Sequence, residues 1–241
     1  MRQTEIKLTP SRIARLLLWP VGILSLITVP MTLAEHHLRP ISWTLADSVR
    51  RFTVNSENSV PAWISSIMLF GAAALLAVCA CMYKSRQDRW WKHWAALSGL
   101  FCLLSMDEGA SFHEILMIPM DALVNTKGML YFSWVIPGFA FVAIVGFAFL
   151  GVLRHLDSRT RNRFLAAGFL FVGGALGMEC VGAAVLDSMG EDHIAYILTA
   201  TIEETCEMLG VVLFIWSIAS HLGEQAGEVR FTLNPQPAPL A

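Results

Sequence analysis

The chain predicts an all-α polytopic membrane bundle of six transmembrane helices with both termini in the cytoplasm. Six apolar runs, at about residues 13–33, 61–83, 94–118, 129–153, 164–187 and 194–220, each supply the roughly 20 residues that a helical span needs. Backbone polar groups in lipid must be satisfied within their own segment, so these runs are helices, and the alternation of an outer-membrane barrel is absent. Basic residues then set the orientation. One side collects Arg2, Lys7, Arg12 and Arg15, then Lys84, Arg86, Arg89 and Lys92, then Arg154, Arg159, Arg161, Arg163 and Arg230. The other side has only Arg39, Arg50, Arg51 and Lys127, and the basic side faces the cytoplasm.

Composition agrees. At 55% hydrophobic and 15% charged, the chain is too apolar for an ordinary soluble domain. A net charge of −2 argues against a nucleic-acid partner and leaves the lipid bilayer as the partner of most of the surface. Cys79, Cys81, Cys102, Cys180 and Cys206 all sit in apolar runs and read as packing thiols rather than a disulfide framework.

Residues 1–221 form a single membrane domain. The first run has a basic leader and a Thr32-Leu33-Ala34 sequence, as a signal peptide would. Its apolar stretch is longer than a usual signal core and is interrupted by Pro20 and Pro30, so a retained first helix is expected. The loop 34–60 carries Ile41, Leu45, Val49 and Phe52 at helical spacing and predicts a short helix lying on the outer membrane surface. Trp90, Trp91 and Trp94 are expected to mark the inner boundary of the third span, and Tyr131, Phe132 and Trp134 the outer start of the fourth. The glycines and alanines of 173–184 predict a close-packed, central fifth span. Residues 222–241 end in a proline-rich stretch and are expected to be a disordered cytoplasmic tail.

Against this apolar background stand Asp107, Glu108, Glu114, Glu179, Glu203, Glu204 and Glu207, with His113 among them and no Lys or Arg in 93–120, 164–190 or 194–220. Ionisable groups at membrane depth are costly and generally functional. Topology puts the acids of the third, fifth and sixth spans at similar depth, in the outer half of the bilayer. Asp107, Ser111 and Glu114 follow i, i+4, i+7 spacing and predict one polar stripe, while Glu203 and Glu207 share a helix face with Glu204 beside them. Above them an outer rim of Glu35, His36, His37, Asp187, Glu191, Asp192 and His193 is expected, with Glu191 and Asp192 capping the sixth span. His93, His155 and His221 border the inner face and read as interfacial.

Crowded carboxylates must hold protons, bind a cation or line a wet cavity. Oxygen donors with one imidazole suit Zn, Mn or Fe, with Asp107, His113, Glu114, Glu179, Glu203 and Glu207 as the ligand set. Glu204 and Glu108 are then the spare carboxylates for acid–base catalysis. Glu-x-x-His pairs, His-Glu-x-x-His and Gly-x-Ser-x-Gly are all absent, which argues against ferritin-like di-iron, zincin and hydrolase-elbow chemistry.

The string Asp107-Glu108-Gly109-Ala110-Ser111-Phe112-His113-Glu114, with Glu203-Glu204 followed by Leu209-Gly210, resembles a motif pair in uncharacterised bacterial multipass inner-membrane proteins. That resemblance implies a bacterial-type inner-membrane location and names no activity. The expected function is therefore a metal-dependent membrane enzyme acting on a lipid-like or periplasmic substrate. A proton- or cation-coupled transporter and a non-catalytic assembly subunit are the alternatives.

Orientation can be tested with single cysteines placed in a cysteine-free background. In intact cells an impermeant maleimide is expected to label Lys127→Cys and to spare Asp88→Cys until the membrane is opened; the reverse pattern inverts the bundle.

Overall fold

Thr9 opens the first helix, α1 (Pro10–Leu38): its side chain accepts the Arg12 N–H, and Pro10 occupies a first-turn position that has no use for a donor. Pro20 and Pro30 both stay inside α1. The hydroxyls of Ser25, Thr28 and Thr32 fold back onto the carbonyls of Val21, Leu24 and Thr28 at 2.9, 2.8 and 3.0 Å. These bonds satisfy the hydroxyls within the helix itself. A short helix follows, α2 (Trp43–Arg50), in the expected place. Only its Ala46 is buried, and Ile41, Leu45 and Phe52 remain exposed.

In the computed structural model, residues 9–54, 56, 58–124 and 126–227 are described, and no strand occurs among them. Arg2, Lys7, Arg230 and the rest of the expected tail after residue 227 lie outside the described residues. The remaining elements are α3 (Val60–Ser85), α4 (Trp91–Ala110), α5 (Phe112–Ile115), α6 (Met117–Asp121), a 3-10 turn (Gly128–Leu130) and α7 (Val135–His155). Then come α8 (Ser158–Val172), a π-helical turn (Gly173–Met178), α9 (Glu179–Met189) and α10 (Ile194–Ala226).

Among the described residues, five stretches are long and apolar enough to cross a bilayer: α1, α3, α7, α8 with its continuation to Met189, and α10. The expected third span, 94–118, is not one helix. It ends at Ala110, because Ser111 adopts a left-handed conformation (φ 50°, ψ 42°), and restarts as α5 and α6. The predicted stripe through Asp107, Ser111 and Glu114 is therefore not continuous.

The ends of the bundle are fixed by polar contacts. At one end the α3–α4 and α7–α8 connections meet the C-terminus of α10. There Arg86 Nη2 donates to the Gln225 carbonyl at 2.8 Å, and Arg163 lies 3.9 Å from Glu224. These contacts explain why residues 222–226, expected in the tail, remain helical. Trp94 is 2% exposed and stacks against both Tyr83 and His221, which lie side by side and hydrogen-bond at 2.9 Å. Trp94 and His221 are thus core groups rather than interfacial ones, because each flat ring fills the space between α3, α4 and α10. At the opposite end Arg39 pairs with Glu35 at 3.0 Å and reaches Glu191 and Asp192 at 3.5 and 3.8 Å, and His36 lies 3.3 Å from Asp192. Part of the expected rim therefore exists. Glu191 and Asp192 do not cap α10, however; His193 does, accepting the Ala195 N–H through Nδ1.

Inside, hydroxyls on small residues tie helices together. Ser66 donates to the Ser105 carbonyl and Ser105 to the Ser66 carbonyl, at 2.7 and 2.8 Å, locking α3 to α4. Thr205 bonds Ser25 at 2.8 Å, linking α10 to α1. The most buried apolar helix is α10, with α1, α3, α8, the π turn and α9 around it. The expected central place of the fifth span passes to α10. The small residues of 173–184 serve instead to bring α8, the π turn and α9 against it. A Cβ on Gly174 would sit 2.8 Å from the Glu203 carbonyl oxygen, and one on Gly210 would sit 2.8 Å from the Phe171 nitrogen. All five cysteines are unpaired, as expected.

Gly174→Ala is expected to destabilise the bundle by about 1–3 kcal/mol, because backbone and not a flexible side-chain end must yield. Thermal denaturation in detergent reads this against Gly99→Ala, where a Cβ meets nothing within 4 Å.

Candidate functional site

All eight residues singled out by the sequence line one cavity of about 930 Å³. Asp107 and Glu108 come from α4, His113 and Glu114 from α5, Glu179 from the start of α9, and Glu203, Glu204 and Glu207 from α10. Three local features bring them there.

The first is the break at Ser111. A left-handed non-glycine residue costs roughly 1–2 kcal/mol, and the Asp107 carboxylate offsets that here. Its Oδ1 accepts the His113 backbone N–H at 2.8 Å, and its Oδ2 meets His113 Nδ1 at 3.0 Å. A carboxylate only accepts, so Nδ1 is the donor, and Nε2 is the ring's basic nitrogen whenever the ring is neutral. Both side chains are about a third exposed, toward the cavity they line.

The second is the π turn before Glu179. Such turns interrupt helices mostly at functional sites, and this one rotates Glu179 and the rest of α9 relative to an unbroken α-helix. The third is the absence of side chains at Gly174 and Gly182, which lets α10 approach so closely that Glu203 Oε2 would lie 3.8 Å from a Cβ on Gly182.

The result is a line of contacts across the cavity's polar end. The His113 and Trp134 rings lie 4.6 Å apart, Trp134 Nε1 donates to Glu179 Oε1 at 3.0 Å, and Glu179 meets Glu203 side chain to side chain. Glu204 lies within electrostatic reach of Glu108 and Glu179, and Glu207 within reach of Glu204, Glu108 and Glu179. Among the described residues no hydrogen-bond donor or basic group meets Glu204 or Glu207. Of the sequence-selected rim, Asp187 instead accepts the Gly128 N–H at 2.9 Å and anchors the turn before α7.

Sequence reasoning missed Trp134 and Tyr196, which both line the cavity. Trp134 looked like a membrane-interface anchor, and the only available signal was an indole N–H just ahead of an apolar helix that faces several acids. Among the described residues no group of three or more His, Cys, Asp or Glu side chains converges closely enough to hold a metal ion.

Away from the acids the cavity turns apolar. One face of α4, with Trp94, Leu97, Phe101 and Leu104, stands opposite one face of α7, with Val142, Val145 and Phe149. His93 and Leu153 lie at its far end.

These features define an all-helical membrane protein whose apolar bundle encloses an acid-lined cavity. The chain belongs to the family described as a domain of unknown function, DUF8692, whose pattern matches residues 19–222. No curated protein and no solved structure matches it.

Asp107→Ala leaves both the His113 ring and its backbone N–H without this partner, and is expected to cost about 1–3 kcal/mol. Asp107→Asn, which can still accept one bond, is expected to cost less; equal losses in a detergent melt would remove the bidentate contact from the account.

Proposed function

We propose that this chain is a membrane-embedded enzyme acting on a lipid-like substrate, with Asp107 and His113 as its acid–base couple. The single observation that supports this most is the continuity of the carboxyl/His end with a long apolar trough, because an amphiphile fits both parts at once. In this reading the Asp107 carboxylate holds the imidazole with Nε2 free to take a proton, and Glu108 and Glu204 return one. Trp134 fixes Glu179 beside Glu203. The proposal further takes α4 as a sixth span, with both termini cytoplasmic in a bacterial-type inner membrane. The positions of the basic connections at one end of the bundle support that orientation.

A metal-dependent form of the reaction would draw Glu179, Glu203 and Glu207 onto Zn, Mn or Fe by side-chain rotation, since no ligand group stands converged among the described residues. The transporter reading is less favoured, because the trough between the acids and His93 is lined by Leu97, Phe101 and Leu104 and offers no relay for protons or cations.

Nanodisc-reconstituted protein incubated with a total membrane lipid extract, followed by mass spectrometry, tests the proposal. Wild type is expected to deplete one lipid class and raise another, and Asp107→Asn and His113→Gln to slow this by about 10²-fold or more, the scale of general acid–base catalysis. A lipid profile identical for wild type and both folded variants would overturn it. Elemental analysis of the same preparations, with Glu203→Gln/Glu207→Gln beside wild type, decides whether a stoichiometric ion takes part.

A further inference from the structure

We infer that the cavity's occupant is a single-chain amphiphile with a protonated primary amine as its head, its chain lying in the trough between α4 and α7. The inference rests on the lipid-substrate reading above and names the class of molecule that the same cavity selects.

Length comes first. From Asp107 to His93, α4 lines the cavity over fourteen residues, about 21 Å at 1.5 Å per residue. That is far deeper than a headgroup alone requires. The walls along this distance are aliphatic and aromatic, which suits an extended hydrocarbon chain and nothing polar.

The trough is also kept open. Gly146 of α7 and Gly168 of α8 both line it, and a Cβ built on either meets nothing within 4 Å. Glycine in a helix interior is destabilising by roughly 0.5–1 kcal/mol against alanine. Neither glycine relieves a close helix contact, unlike Gly174 and Gly210, so the space they leave belongs to the cavity. The way in is lateral. α7 packs on α8 and the π turn along one side, while most of its surface faces outward. The facing stripes of α4 and α7 stand apart across the trough.

Charge then selects the head. Among the described residues that line the cavity are seven acids and one arginine, Arg50, whose Nε is engaged with Ser56 at 3.1 Å. A phosphate or carboxylate head would find no cation beside Glu204 and Glu207 among the described residues to pair with. A hydroxyl head would supply a single donor and no positive charge. A protonated primary amine supplies both a positive charge and three donors, which Glu204 and Glu207 lack within the described protein. Trp134 and Tyr196 at the same end add aromatic faces that attract a cation.

The test uses full-length protein in nanodiscs and three photo-crosslinking probes of equal chain length: a primary alkylamine, an alkyl alcohol and a fatty acid. The amine is expected to label saturably, with roughly tenfold or greater preference over the acid, a difference of about 1.4 kcal/mol. Glu204→Gln/Glu207→Gln should erase that preference while chain labelling persists. Gly146→Leu and, independently, Gly168→Leu should block labelling by all three probes; both changes favour the helix, so folding is preserved. Equal or stronger labelling by the acid or alcohol in wild type would overturn the inference. So would amine preference unchanged in the glutamine variant, or labelling undiminished in both folded leucine variants. Labelling requires no turnover, so its failure is separable from that of the enzymatic reading. Selective amine labelling by an inert protein keeps this inference and removes the catalyst, and turnover of a neutral or anionic lipid without amine labelling does the reverse.

Discussion

Seven carboxyl groups held inside an apolar bundle, with one arginine among the described residues that line their cavity, are the constraint around which the molecule is arranged. A bundle closed over them would leave uncompensated charge in a low dielectric, the most expensive arrangement available to a folded chain. The bundle instead stays open between α4 and α7, and the acids share the resulting cavity. The modest burial of α7 and the wide cavity both stem from the same requirement.

The opposite side of the molecule is closed as tightly as that side is open. α10 is pressed against α8, the π turn and α9 through Gly174, Gly182 and Gly210, and α3 is fastened to α4 by the reciprocal Ser66–Ser105 bonds. Helices in lipid gain little from apolar burial against one another, so close backbone approach and hydroxyl-to-carbonyl bonds carry the association. This rigid half positions the carboxyls of α10 and α9. The half formed by α5, α6 and the turn before α7 is built from short pieces held by a few polar contacts, Asp107 with His113, Asp121 with Ser133 and Asp187 with Gly128.

The two departures from regular helix, at Ser111 and at Gly173–Met178, both fall next to site residues. Each one re-aims the side chains immediately beyond it. Without the break, Asp107 and His113 would sit six residues apart on different faces of one helix, and their bidentate contact could not form. Local irregularity is the means by which the acids of separate helices come to face one space.

The all-helical character, the approximate bounds of the long apolar helices and the acids as the unusual feature were legible in the sequence, because hydropathy and charge act on each segment independently. The eight candidate residues could be named for the same reason: a carboxylate in an apolar run is conspicuous whatever surrounds it. Trp134, the break at Ser111, the π turn, the stacking of Trp94 on His221 and the central place of α10 could not be read in that way. Each depends on what lies opposite. Trp134 became a site residue only because Glu179 faces it, and Ser111 turns left-handed only because Asp107 can take both the His113 N–H and its ring. The sequence by itself determined an apolar helical chain with acids set into its apolar runs, since transfer to lipid is a property of each segment. The tertiary structure alone decided that those acids border a trough rather than a sealed core, since that depends on how far apart two helices stand.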